Sequence, residues 1–388
     1  MGKFSIGSKS SPGASTSAVA SAQAALAAYL QAAHRRSQEL PVQQWSAGDD
    51  LPFTMPHAGV GLFARLTFRG TLSRTEGAAV GTVTASQFYP YNLIKVSYVD
   101  YQGITRIKVN GYELNELQQA KAFGFNPSFT LIPPGASPGY AYSSDIFADS
   151  VPVGTASSTT TAPCNFGVIV PISLGRASVR GSHPFTIPNS EDTLTVSCLE
   201  TIYSTINSGP ELPFVTTGTS ELAISGQFDC CYYYYDTPAG TPLPLAEFQV
   251  IHELFSIKDT TNLAAGLQKV FTLQTGRTYY RVLANLCLNG AADTVDVDQI
   301  QFIVDGATPT LTENLASYLD RIRDESGQDF PPGMFFYDFT RKPWTPDNYG
   351  SLGLGIELDS TANTGNPSYL RVLRECLYKA NSNLAAIG

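Results

Sequence analysis

The chain is short of charge. Only 15% of its 388 residues are Asp, Glu, Lys or Arg, against about a quarter in an ordinary globular protein. Histidine (4), methionine (3), tryptophan (2) and cysteine (6) are scarce as well. These shortages narrow the function. His34, His57, His183 and His252 have no second His or Cys at ligand spacing, so no zinc pattern exists. Six cysteines make no disulfide framework here. With no export signal visible, a reducing compartment is expected. The stretch AVASAQAALAAYLQAA is too polar and Ala-rich to span a membrane. No G-x-S-x-G elbow occurs. GSLGLG (350–355) lies among alternating apolar residues and reads as strand or turn, not as a nucleotide loop. DTVDVDQ (293–299) gathers carboxylates without EF-hand spacing or its glycine, and reads as a solvated strand edge. With 33 acidic residues, chance carboxylate pairs are expected, so glycoside hydrolysis stays open.

What the chain has in quantity is Tyr (20), Phe (21), Gly (33) and Pro (25). Aromatics favour strands, and Gly and Pro punctuate turns. The length fits two moderate domains with real cores. The net charge of −9 argues against wrapping nucleic acid, and no sequence-specific nucleic-acid pattern appears. That charge is uneven. Residues 1–46 hold Lys3, Lys9, Arg35 and Arg36 against Glu39, a net +3 that leaves −12 on the rest. A basic tail on an acidic body points to an anionic neighbour.

Residues 1–15 are Gly/Ser-rich without apolar periodicity, the composition of a disordered segment. Residues 16–39 predict an Ala-rich helix ended by Pro41. From Trp45 onward, short runs alternate. YNLIKVSYVD (91–100) sets Ile94, Val96 and Tyr98 against Lys95 and Ser97, and DTLTVSCLE (192–200) sets Leu194, Val196 and Cys198 against Thr193, Thr195 and Ser197. Two helices interrupt the strands. Asn110 is positioned to cap the first, with Glu113 at the capping-box position; Thr312 is positioned to cap the second. Loops are expected over 124–163 and 203–220, with GTASSTTTA (154–162) exposed. A helix, a loop and three strands occur in that order twice, which predicts two β domains of one kind, a jelly roll being the natural candidate.

QFDCCYYYYDT (227–237) looks at first like a thiol site. On a strand, adjacent cysteines point to opposite faces and cannot share a metal without distortion. The pattern sets Phe228, Cys230, Tyr232 and Tyr234 on one face and Asp229, Cys231, Tyr233 and Tyr235 on the other. Tyr233 and Tyr235 are thereby candidates for a domain seam or an interface with a neighbouring copy.

One block is specific. Arg321 and Arg323 on a helix lead to Asp329, Phe330, Pro331 and Gly333, then Phe335, Phe336 and Tyr337, Lys342 and Pro343, and Tyr349 and Gly350. It resembles the end of the major capsid proteins of tectiviruses, icosahedral phages with an internal membrane. PYNLIKVSYVD (90–100), TNLAAGL (261–267) and VFTLQTGRTYYRVLANLCLNG (270–290) resemble the same family in the same order. The resemblance implies an all-β double jelly roll, two eight-stranded sandwiches side by side, each with an inserted helix, as in the adenovirus hexon. The expected parts are an N-terminal tail and helix (1–45), a first jelly roll (46–240) and a second (241–388). It further implies a virion coat protein without catalysis, cofactor or metal. Such a protein assembles as pseudo-hexagonal homotrimers tiling an icosahedral shell. Its partners would be its own copies, vertex and minor capsid proteins, and an internal membrane faced by Lys3, Lys9, Arg35 and Arg36. A jelly-roll carbohydrate-binding protein and a β-sandwich glycoside hydrolase are the alternatives.

Overall fold

The structure is a computed structural model. It describes residues 32–56, 60–86, 88–101, 104–119, 151–172, 185–186, 193–206, 211–236, 250–260, 263, 268–274, 277–292, 296–304, 308–326, 332–339, 344, 352–358 and 367–379. Lys3, Lys9, the 1–15 segment, most of the 16–39 helix and the crossing DTPAGTPLP beyond Asp236 lie outside these residues.

Two sets of eight long strands account for the fold. In the first set, one sheet runs β1 (Arg35–Gln44), β12 (Glu221–Tyr235), β3 (Val60–Thr75) and β7 (Thr159–Pro171), with the short β8 (Phe185–Thr186) also on β3. A second sheet runs β2 (Asp50–Thr54), β9 (Thr193–Cys198), β5 (Ile94–Tyr101) and β6 (Ile104–Val109). The second set repeats this plan. One sheet runs β13 (Val250–Asp259), β21 (Tyr369–Lys379), β15 (Thr278–Leu288) and β19 (Met334–Asp338). The other runs β14 (Gln268–Leu273), β20 (Leu352–Leu358), β17 (Val297–Val304) and β18 (Thr308–Asn314). Numbered within its set, each half has sheets ordered 1-8-3-6 and 2-7-4-5, and a helix between its fifth and sixth strands. These helices are α1 (Gly111–Gln119) and α2 (Leu315–Ser326). Short strands β4 (Thr82–Ala85), β10 (Tyr203–Ser204) and β11 (Phe214–Thr217) form a small sheet in the loops of the first set, and β16 (Ala291–Ala292) pairs with β15. The fold is a double jelly roll.

Aromatics fill the sandwiches. Phe228, Phe68 and Phe166 are register partners across β12, β3 and β7, all buried, with centroids 5.0 and 5.3 Å apart along the row. Such pairs add about 0.5–1.5 kcal/mol each beyond area burial. Beside this row a glycine pair, Gly70 and Gly226, faces across the two strands. A Cβ on Gly226 would stand 2.4 Å from the Arg69 carbonyl oxygen and 2.8 Å from the Phe68 ring. Only glycine lets the strands and the ring approach this closely. In the second sandwich the Tyr318 hydroxyl accepts the Phe336 N–H at 2.7 Å, which ties α2 to β19.

The two sandwiches share a sheet. β6 pairs in parallel with β13, Leu254 opposite Ile107 and Phe255 opposite Lys108. The first and fifth strands of each half run in the same direction, so this parallel pairing of a fifth strand with a first sets both sandwiches the same way up. Register also defines two ends. Glu221, Thr75 and Thr159 lie level at one end of the first sandwich, and Arg35, Tyr235 and Val60 at the other. The chain before Arg35 therefore enters at the end opposite the loops that carry β4, β10 and β11.

Several expectations need correction. Ala32 has helical backbone, but residues 35–39, expected in the helix, begin β1. Pro41 does not end a helix there. It sits in a strand at the sheet's edge, where the register slips between Leu40 and Gln43, so its missing N–H costs no ladder bond. The first strand of the first sandwich thus begins eleven residues before the expected boundary at 46. The expected loops hold strands: 159–163 belong to β7, and 203–220 includes β10 and β11. GTASSTTTA is mostly exposed, with Ala162 buried as β7 takes over. Thr312 lies within β18; the cap of α2 is Asn314, whose Oδ1 accepts the Ser317 N–H at 2.9 Å. Val297 and Asp298 belong to β17, an inner strand between β20 and β18, not a sheet edge. In β5 a register shift between Ile94 and Val96 breaks the simple alternation, so Ile94, Ser97 and Val99 are fully buried while Tyr98 is half-buried.

Candidate assembly surfaces and a charged seam

Three features carry chemistry: the base where the tail enters, the crown of loops opposite, and the seam between sandwiches.

At the base, β1 holds Arg35 and Arg36 against the wall of the first sandwich. The Arg35 guanidinium lies 5.2 Å from the Phe63 ring and 5.0 Å from Tyr233, rings themselves stacked at 4.5 Å. Arg36 pairs with Asp236 at 2.9 Å. The His34 N–H donates to the same carboxylate at 2.7 Å, the largest influence holding the Asp236 pKa down. Both arginines, expected at a membrane, therefore have protein partners at the base. The structure brings Arg35 to Tyr233, a pairing that the sequence did not reveal because the two stand 198 positions apart. Tyr233 and Tyr235 are half-buried on the outer face, while Phe228, Cys230 and Tyr232 fill the core. Tyr234 keeps its expected face, packed against the core and stacked on Tyr232 at 5.5 Å, but a bulge between Tyr233 and Tyr234 leaves it half-buried.

At the crown, Arg74 is buried. Its Nε donates to Glu76 at 2.5 Å, and its other nitrogens donate to the carbonyls of Pro152 and Gly81. Glu76 also accepts from Ser220 at 2.7 Å and from the Gly81 N–H, the strongest influence lowering its pKa. One ion pair thus ties together three loops, which display Val80 and Val153 to solvent.

The seam is built by α1. Glu113 reaches back so that its Oε2 accepts the Asn110 N–H at 3.1 Å, half of the expected capping box. Its Oε1 accepts the Ser256 hydroxyl of β13 at 2.7 Å. Glu116 accepts from Asn285 of β15 at 3.1 Å. Both carboxyls are almost fully buried. Burial raises both pKa values, with Glu116 moved further. Around them, Arg371 donates to Glu211 at 2.6 Å, and Lys258 donates to the same carboxylate at 2.7 Å. Deeper in the second sandwich, Arg281 and Glu375 form a buried pair, and Glu253 meets Arg277 at 3.3 Å and Arg106 at 3.6 Å. Beyond the capping box nothing along the chain pointed to this network, since its members are scattered over elements of both halves.

Among the described residues no group of His, Cys, Asp and Glu could hold a metal. Cys230 is buried and Cys231 half-buried, on opposite faces, both as free thiols. Burial pushes the Cys230 thiol up, away from the reactive thiolate. No helix among the described residues is long and apolar enough to cross a membrane.

No protein-family model matches the sequence, and no curated protein matches it significantly. Solved structures do. The STIV MCP, from Sulfolobus Turreted Icosahedral Virus, superposes with a TM-score of 0.61 at 15% identity over 91% of this chain and 99% of that one. The Faustovirus major capsid protein gives 0.53 at 10% identity over 89% and 90%. The PBCV-1 virus capsid gives 0.52 at 10% over 89% and 95%. At such identities the likeness establishes a shared fold.

Proposed function

We propose that this chain is a viral major coat protein with no catalytic role. The observation that carries the reading is the fold's completeness: two jelly rolls of identical strand order, standing the same way up on one shared sheet, matched end to end by a protein of an icosahedral virus. Three copies, six sandwiches in all, would make a pseudo-hexagonal trimer that tiles an icosahedral shell. We place the divide between sandwiches near residue 240.

The tail gives the finer reading. It enters at the base, opposite the crown. If the crown faces outward, Lys3, Lys9, Arg35 and Arg36 lie toward the interior. There they suit the head groups of an internal anionic membrane, each basic group near the surface adding about 1 kcal/mol. That is the arrangement of a tectivirus-like phage, with vertex and minor capsid proteins as further partners. Tyr233 and Tyr235, half-buried on the outer face of the first sandwich, are candidates for contact with a neighbouring copy.

Native mass spectrometry of the purified chain tests the coat reading. One copy weighs 41.7 kDa, so a trimer weighs three times that, about 125 kDa. A monomer that turns over sugars would favour the glycoside hydrolase instead.

A further inference from the structure

We propose that a groove at the crowned end of the seam is a binding site for a multivalent anion, a small organic ligand carrying two or more phosphate, sulfate or carboxylate groups. The inference is independent of the coat reading.

Among the described residues, a groove of about 560 Å³ opens where the two sandwiches meet. That volume lies within the range of small-molecule sites. Four cations line it: Lys95 of β5, Lys108 of β6, Lys258 of β13 and Arg371 of β21. They come from both sandwiches, so the site exists only when the seam is formed. The one carboxylate among the described lining residues is Glu211, which leaves a local charge of +3 in a chain of net −9. Concentrated cation on an anionic protein is costly unless something opposes it.

The cations divide into two roles. Lys258 and Arg371 share Glu211 and form a fixed floor. Lys95 and Lys108 are exposed, and neither pairs with a carboxylate among the described residues. Lys108 leans over the Tyr98 ring at 5.9 Å, which leaves its ammonium hydrogens available. Two buried polar atoms of the lining also lack partners among the described residues: the Tyr112 hydroxyl and Arg371 Nε. A buried donor left unmet is costly. The rest of the lining holds Asn92, Asn110 and Ser256, and an apolar wall of Ile94, Val96, Leu199 and Leu212. A bare phosphate would leave that wall unused, whereas an organic frame would cover it.

The test measures thermal stabilisation of the full chain by tripolyphosphate and by citrate, at low and raised salt. Three proteins are compared: wild type, Lys95→Ala/Lys108→Ala, and Lys3→Ala/Lys9→Ala. Lys95 and Lys108 are exposed, so their loss should leave the fold intact, and each protein's rise is read against its own ligand-free Tm. The proposal expects a saturable rise in Tm for wild type and for the tail variant that weakens with salt. For the groove variant it expects an affinity lower by at least about tenfold, the loss of two charge-assisted contacts. No saturable rise with either probe overturns it. So does an equal rise in the groove variant, or a rise lost only in the tail variant. None of these results bears on whether the chain forms trimers.

Discussion

Glu116→Gln should flatten the pH dependence of stability and make the protein more stable near neutral pH. Glu116 is 1% exposed, and its sole hydrogen bond among the described residues comes from Asn285 at 3.1 Å. Its other oxygen has no partner there. Burial is the largest influence on its pKa and raises it; Asn285 offsets part of this, and Glu113 adds to the rise. The unfolded carboxyl titrates near 4.5, the folded one higher. Between those two values the folded state keeps a proton that the unfolded state has lost. Stability therefore falls as pH rises through that window, by up to about 1.4 kcal/mol per pH unit for one group. Glu113 is shifted in the same direction, so wild type carries two such contributions. Glutamine cannot titrate, yet its carbonyl still accepts from Asn285. Urea unfolding of both proteins between about pH 5 and 8, at one protein concentration, reads the difference. The variant should show the shallower slope and the higher stability at the alkaline end. A variant that is less stable at every pH, with the wild-type slope, would mean that Glu116 is stabilised as a carboxylate and would refute the reasoning.

Other substitutions probe the base, the crown and the sheet. Gly226→Ala should cost about 1–3 kcal/mol by overpacking, read as a lower unfolding midpoint, because the added carbon meets backbone at 2.4 Å; an unchanged midpoint would deny the close approach. Arg35→Ala removes a cation from two rings and should cost about 0.5–1 kcal/mol, with faster proteolysis at the N-terminal end and little change in the main melting transition. Arg74→Met should speed amide exchange in residues 76–81, 151–158 and 218–220 together, since one buried pair holds all three loops; exchange at Glu113 and Ser256 should stay as it was.

Much of the architecture was legible in the sequence, for local reasons. A strand with one buried face writes its period into the chain, as 192–200 and 227–235 do. The twofold order of helix and three strands anticipated β7, β9, β12 and β19, β20, β21. The failures have causes too. RRSQELPVQQ carries little apolar signal because β1 lies at a sheet edge and is mostly exposed; helix propensity upstream then extends too far. The bulge in β5 flips its faces midway, which no fixed period can express. Thr312 and Asn314 are both good caps, and pairing of 312 with Gln301 in the sheet decides between them. The candidate surfaces were the least legible. Glu113, Ser256, Asn285 and Arg371 converge only through tertiary packing, and their residue types, taken singly along the chain, look like surface polar groups. Arg35 and Tyr233 were each singled out, but nothing local joined them.

Electron cryo-microscopy of particles assembled from this chain decides whether it builds a coat. The expected result is a closed shell of three-copy units, each showing six sandwiches with strands normal to the shell, crowns outward and Arg35 at the inner surface. Particles whose units hold another number of copies, or purified chain that stays monomeric under every condition that assembles a coat, would contradict it.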